Sequence, residues 1–347
     1  MNPKKIRFMP DPATGRLSEE DTKSYFSRIG FAVGLLCIVS TLVSTLLYLL
    51  TSSLLPSLGG GALGTLVSHT VSMVSIYAIA MPLFVYLLKP LPEVKPYRER
   101  MPLGDVVGGF CLTILAMTVG NYIGNIILIY VEQLLNTTTQ NPIAEVIAPT
   151  DGATVAVTVV FMVILAPILE ELVFRKLLCN KLLPLGEGYA ILLSAAVFAL
   201  FHGNLYQIPY AFTVGLVLGL VYVKTGKLIY TVIYHALMNL LGSVVGPWIL
   251  ERIDLERVNA IIESGSLDPN DPILEQLALL GFYEMAMLAA AIAGLVLLFK
   301  ARKKRSITLE KGILPPPAKG RVANLFCNAG VALAVTCFTV LIVLSLA

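Results

Sequence analysis

Charge is what this chain has least of: Asp, Glu, Lys and Arg make up 14% of its 347 residues, against 56% hydrophobic ones, at a mean hydropathy of +0.81. A composition so poor in charge excludes an ordinary water-soluble domain, and one so rich in apolar side chains excludes disorder. Cysteine is sparse too. Cys37, Cys111, Cys179, Cys327 and Cys337 form no CxxC pair and fall mostly in apolar stretches, so the expected role is packing, with no disulfide framework and no thiolate metal site. There is no HExxH pair, no repeat of fixed period and no composition shift that marks a second domain. The first 28 residues are polar, contain Pro10 and Pro12, and lack an apolar core. A cleavable signal peptide is therefore not expected there, and the first membrane helix directs insertion. The small net charge of +3 resides in loops and implies no nucleic-acid partner.

What remains is a polytopic all-α membrane protein. Apolar stretches long enough to cross a bilayer lie near 29–50, 63–88, 106–131, 153–178, 188–206, 207–223, 228–250, 279–299 and 322–346, which predicts about nine crossings, or eight if the 188–223 pair is not two. The basic residues test that count, because they should alternate between rich and poor connections. All 25 except Arg252 and Arg257 fall on one side, and those two share the 251–278 connection with acidic residues that outnumber them. The expected topology has a cytoplasmic N-terminal arm (1–28), N-terminal membrane helices (29–150), a core (151–250), an outer connection (251–278), and C-terminal membrane helices (279–347) with a basic inner loop at 300–321. Glycine pairs spaced by four, Gly30/Gly34, Gly120/Gly124 and Gly215/Gly219, predict close helix packing in lipid. The prolines at 315–317 predict an extended spacer.

Against this background the apolar helices carry a few polar groups. Glu170 and Glu171 are adjacent, with Arg175 four residues after the second; Phe198 precedes His202 by four, and His235 precedes Asn239 by four. Ionisable groups at membrane depth mark a functional site. At about 1.5 Å rise per residue the glutamates, His202 and His235 all fall in the middle third of the membrane if the helix bearing the glutamates continues to about Lys181. So many buried polar groups require a polar cavity between helices. The i,i+4 spacing predicts a Glu171–Arg175 ion pair, with Glu170 about 100° away and free. Phe198 should wall the His202 ring, and His235 and Asn239 should present two donors to one point. A purely structural role fits any one of the three motifs, but not all three together.

These three motifs resemble those of the CPBP family of membrane-embedded proteases, which includes type II CAAX prenyl endopeptidases and bacteriocin-processing or self-immunity proteins. The likeness covers roughly residues 150–250, and no motif position departs from it. It implies peptide-bond hydrolysis within a bacterial plasma membrane, acting on a membrane-embedded peptide or protein. In that chemistry Glu170 is the general base, His202 holds the water, His235 and Asn239 polarise the scissile carbonyl, and Glu171 with Arg175 supports them. The two glutamates can also exchange roles. No metal is expected, since a neutral Asn239 amide is a poor zinc ligand. If a metal binds, its ligands are His202, His235 and Glu170. Two other readings remain: a non-catalytic scaffold or immunity module, and a proton-coupled transporter. The transporter lacks the second polar cluster that an internal repeat would supply.

Overall fold

A computed structural model describes residues 8–58, 60–135, 151–304 and 307–346. Among these the chain is a helical bundle without strands. In chain order the helices are α1 (Glu19–Leu54), α2 (Gly61–Leu88), α3 (Leu103–Leu135), α4 (Gly152–Leu185), α5 (Glu187–Leu200), α6 (Gln207–Thr225), α7 (Leu228–Leu250), α8 (Leu255–Ser264), α9 (Ile273–Lys304), α10 (Arg321–Phe326) and α11 (Ala329–Leu344). Seven of them are long and apolar enough to cross a membrane, while α5 and α11 are apolar but shorter. The protein is therefore a polytopic membrane bundle.

The first helix begins ten residues before the expected apolar start. Ser18 accepts a hydrogen bond from the Asp21 N–H, and Glu19, Glu20 and Asp21 fill the first turn. That is an N-cap followed by acidic residues that favour the positive end of the helix dipole. Lys4, Lys5 and Arg7, which helped to set the expected orientation, lie outside the described residues, as does Arg305 in the inner loop.

Three long helices carry a proline well beyond their first turn, where it lacks an N–H to give and clashes with the carbonyl four residues earlier. Each helix answers by widening into π turns just ahead of it, at Val74–Ala80 before Pro82, Val159–Leu165 before Pro167 and Leu241–Val245 before Pro247. There Met81, Ala166 and Gly246 donate to carbonyls five residues back, those of Ile76, Phe161 and Leu241. A fourth π stretch, Leu172–Cys179, carries Arg175.

Small residues set the helix contacts. Gly30 of α1 lies on the Gly330–Val331 backbone of α11, and Gly34 on Leu333 and Ala334. Gly120 and Gly124 of α3 take in the first turns of α6 at Tyr206, Pro209, Tyr210 and Thr213, while Gly215 and Gly219 of α6 receive α5 at Ala195, Phe198 and Ile191. Half of the apolar window of α6 is enclosed, the largest share of any long helix. The bundle is built around α6.

The chain after α9 is not a free spacer. It runs back across the α4–α5 junction, where Glu187 N–H donates to the Glu310 carbonyl (3.1 Å) and Leu314 N–H to the Pro184 carbonyl (2.7 Å). The Glu310 N–H returns a bond to the Glu187 carboxylate (2.9 Å), and Lys224 Nζ donates to Glu187 and to the Thr308 carbonyl. Leu314 is buried, and beyond it Leu17 N–H donates to Pro315 (2.9 Å) and Arg16 to Pro316 (2.8 Å).

Candidate active site

Glu170 and Glu171 end the six-residue α-helical stretch Ala166–Glu171 of α4, between its two π stretches. Glu171 is fully buried. It accepts from Arg175 Nε at 3.0 Å and from His235 Nδ1 at 3.1 Å, while the buried Thr231, one turn before His235, donates its hydroxyl to the Leu228 carbonyl at 3.0 Å. The expected i,i+4 ion pair is present, with neither partner exposed. Arg175 also donates from Nη1 to Ser194 (3.4 Å), while Nη2 has no hydrogen-bond acceptor. Its guanidinium carbon lies 5.1 Å from the Phe198 ring centroid, a cation–π contact that satisfies that side of the group.

Phe198 is the apolar hub of the site. Its ring meets those of His202 (5.0 Å), His235 (5.5 Å) and Phe174 (5.3 Å) edge to face. His202 is not on a helix, as its place in the 188–206 run implied. It occupies the turn after α5, where Gly203 adopts φ +69° and the Asn204 side chain accepts from the Gln207 N–H at the start of α6. The short α5 thus delivers His202 between helix ends. His202 Nδ1 stands 2.9 Å from the Phe198 carbonyl. A carbonyl only accepts, so Nδ1 carries the proton and the neutral ring offers Nε2 as an acceptor.

Glu170 is the carboxylate left open, with a side chain 21% exposed and an oxygen 3.7 Å from His235 Nε2. It is set apart from Glu171, yet it is not isolated: His235 bridges the two glutamates. The expectation that His235 and Asn239 aim donors at one point does not hold in this geometry. Both His235 nitrogens face carboxylates, and Asn239 Nδ2 donates to the Met162 carbonyl at 2.7 Å. The π turn explains the second contact. The Ala166 N–H that would ordinarily serve Met162 goes to Phe161 instead, and the next residue is Pro167, which has none. Met162 is left needing a donor, and Asn239 supplies it.

Among the described residues no three His, Cys, Asp or Glu side chains are set to hold a metal ion. The set His202, His235 and Glu170 fits one poorly, because both nitrogens of His235 already face carboxylates. Thr231 and Ser194 were not singled out from the sequence. Each precedes a motif residue by four, Thr231 before His235 and Ser194 before Phe198, so the same spacing rule that found the motifs points to them.

Glu170, Glu171 and Arg175 of α4 and His235 of α7 thus meet in one polar cluster with Glu170 its accessible acid, and Phe198 joins it to His202 in the α5–α6 turn. Residues 152–241, which contain all of them, match the family model described as type II CAAX prenyl endopeptidase Rce1-like. The chain is also similar to the membrane-embedded CAAX protease MroQ of Staphylococcus aureus (strain USA300), at 35% identity over 98 residues. That stretch is 26% of this chain and 39% of that protein. No solved structure matches the chain.

Proposed function

We propose, from the match of residues 152–241 to the Rce1-like family model and the likeness to a membrane-embedded CAAX protease, that this chain is an intramembrane endopeptidase cleaving a membrane-associated peptide or protein with an activated water. The observation that carries the reading is the division of labour between two adjacent carboxylates. Glu171 is paired with Arg175 and fully buried, whereas Glu170 has one histidine beside it and a partly exposed side chain.

A water between Glu170 and His202 would donate one hydrogen to the Glu170 carboxylate and the other to His202 Nε2, leaving a lone pair to attack the scissile carbonyl. Glu170 takes the proton of the attacking water. With His235 Nε2 beside it to share the charge, it then delivers that proton to the leaving amine. His235 donates from Nδ1 to Glu171, which fixes its tautomer and aims Nε2 at Glu170. Glu171 and Arg175 act through His235, as positioning residues.

The test is hydrolysis by purified protein in lipid nanodiscs, using peptides that end in a prenylated cysteine motif and unprenylated membrane peptides. Glu170→Gln should lower kcat by about 10²-fold or more, the scale of a lost general base, with the protein still folded. A Glu170→Gln variant that cleaves like the wild type would refute the assignment. Full biological activity in that variant without any hydrolysis by the wild type would favour the scaffold reading.

A further inference from the structure

Between α7 and α9 the chain forms a helix that packing inside the bundle does not account for. Residues 255–264 make up α8, and a helix of ten residues is marginal in water unless its apolar side is covered. Its ends are set locally. The Asp254 carboxylate accepts from the Arg257 N–H at 2.9 Å, and Gly265, at φ +62°, returns its N–H to the Ile261 carbonyl at 2.9 Å. Such caps stop a helix at both ends without covering its face. Leu255, Val258 and Ile262 share one side of α8 at spacings of three and four, with Ile261 beside them, while Glu256, Ala260 and Glu263 lie on the opposite side.

The protein leaves that apolar side open. No residue of α8 is buried, and Leu255 and Ile262 are 67% and 72% exposed. What holds α8 to the bundle is polar: the Asp254 N–H donates to the Gln276 side chain at 2.9 Å, and Arg257 Nε to the Asp271 carboxylate at 2.7 Å. These tethers fix the helix beside the first turn of α9 and bury none of its leucine or isoleucine surface.

The neighbours of α8 identify the cover. Only residues 251–254 separate it from α7, and α7 and α9 are both long and apolar enough to cross a membrane, so α8 lies at the edge of the bilayer. Exposed apolar side chains lead up to it from both, Leu250 at the end of α7 and Leu277 near the start of α9. Two residues before Leu250, the exposed Trp248 ring carries the Arg252 guanidinium carbon 3.7 Å from its centroid. A ring with a charged tip laid over it suits headgroup level. Acidic residues outnumber the basic ones in this connection, so attraction to anionic headgroups does not hold α8 down. Burial of its apolar side does.

We propose that α8 is an interfacial helix whose partner is lipid, with the side bearing Leu255, Val258 and Ile262 sunk into the acyl boundary of the leaflet at this end and Glu256 and Glu263 in water. The 251–278 connection is then an anchor for the adjoining ends of α7 and α9 and no free loop. The inference rests on the membrane bundle alone and is independent of the peptidase reading.

Trp248 is the chain's one tryptophan, so tryptophan fluorescence in nanodiscs holding one copy of the full chain reads this region directly. The wild type reports on Trp248. In a Trp248→Phe background, Ile262→Trp and Leu255→Trp report on the apolar side and Ala260→Trp on the other. The quenchers are phosphatidylcholine brominated on the acyl chain near the headgroup, and aqueous iodide. Trp248 and the reporters at 255 and 262 should lose most of their emission to brominated lipid and little to iodide, and the reporter at 260 should do the reverse. Either apolar reporter decides the matter if the other misfolds. Iodide quenching at 255 or 262 as strong as at 260 puts the apolar side in water and overturns the proposal. Shielding from both quenchers overturns it as well, because another protein segment then covers the face. Lipid quenching that appears only when anionic lipid is added assigns the contact to headgroup charge, and that too overturns it.

Discussion

Glu171 is a carboxylate without access to water, held by an arginine and a histidine. Such a group is tolerable only while its partners remain. Arg175→Ala would strand an anion in the bundle and remove the cation that faces Phe198. Breaking a buried pair from one side costs about 3–5 kcal/mol, so this variant should yield far less folded protein. Gel filtration of detergent extracts together with thermal unfolding would check it, and normal yield with full stability would remove the ion pair from the account. At this scale the sequence was legible wherever one helix supplied both partners. The i,i+4 rule found Glu171 with Arg175 and Phe198 with His202. It misdirected Asn239, because helical spacing tells which face a side chain shares but not which carbonyl on another helix lacks its donor. That depended on Pro167 and the π turn ahead of it. His202 was expected on a helix although Gly203 and Asn204, a turn pair, follow it directly. The long apolar run outweighed that local signal.

Among the helices, close approach is enforced by glycine backbones, and substitution there is unforgiving. A Cβ on Gly330 would meet the carbonyl of Ser27 on α1, and the Gly330 N–H donates to the Ser27 hydroxyl at 3.1 Å. Gly312 in the returning strap lies against the backbone of Pro184, Leu185 and Gly186. Backbone cannot rotate aside as a side chain can. Gly312→Val should therefore lift the strap from the α4–α5 junction, breaking the Leu314 to Pro184 bond and exposing Leu314. Faster hydrogen exchange at 310–316 and at 185–190, with the motif cluster unchanged, is the expected readout. Unchanged exchange in both segments would show that the strap does not depend on this contact. The glycine pairs at 30/34, 120/124 and 215/219 were legible as packing signals, and all three lie at helix contacts. The strap was not, because prolines 315–317 read as a spacer and its docking uses backbone groups that carry no sequence signature.

Over the whole molecule, the connections expected to share one side of the membrane gather at one end of the bundle. Tyr25 bonds to Lys181, Lys181 pairs with Glu93, Glu99 N–H bonds to Thr225, Lys224 holds Glu187 and Thr308, and Leu17 meets Pro315. Basic side chains concentrate in these connections, and positive loops are retained in the cytoplasm; the proposed orientation therefore puts this end inside. The 251–278 connection belongs to the opposite end, since α7 leads away from Lys227 and α9 returns. There Asp254 caps α8, and Arg257 grips Asp271, whose carboxyl is held below its usual range by that arginine. The prediction concerns single cysteines placed in a background lacking the five native ones. Glu263→Cys and Lys319→Cys are both exposed positions on opposite ends of the molecule. A membrane-impermeant maleimide added to intact cells should label position 263 and leave 319 unmodified until the membrane is opened. The reverse pattern would invert the orientation while leaving the bundle intact. Labelling of both positions from outside would instead show that the strap and the α8 connection share a side, which the alternation of α7 and α9 forbids if each crosses once.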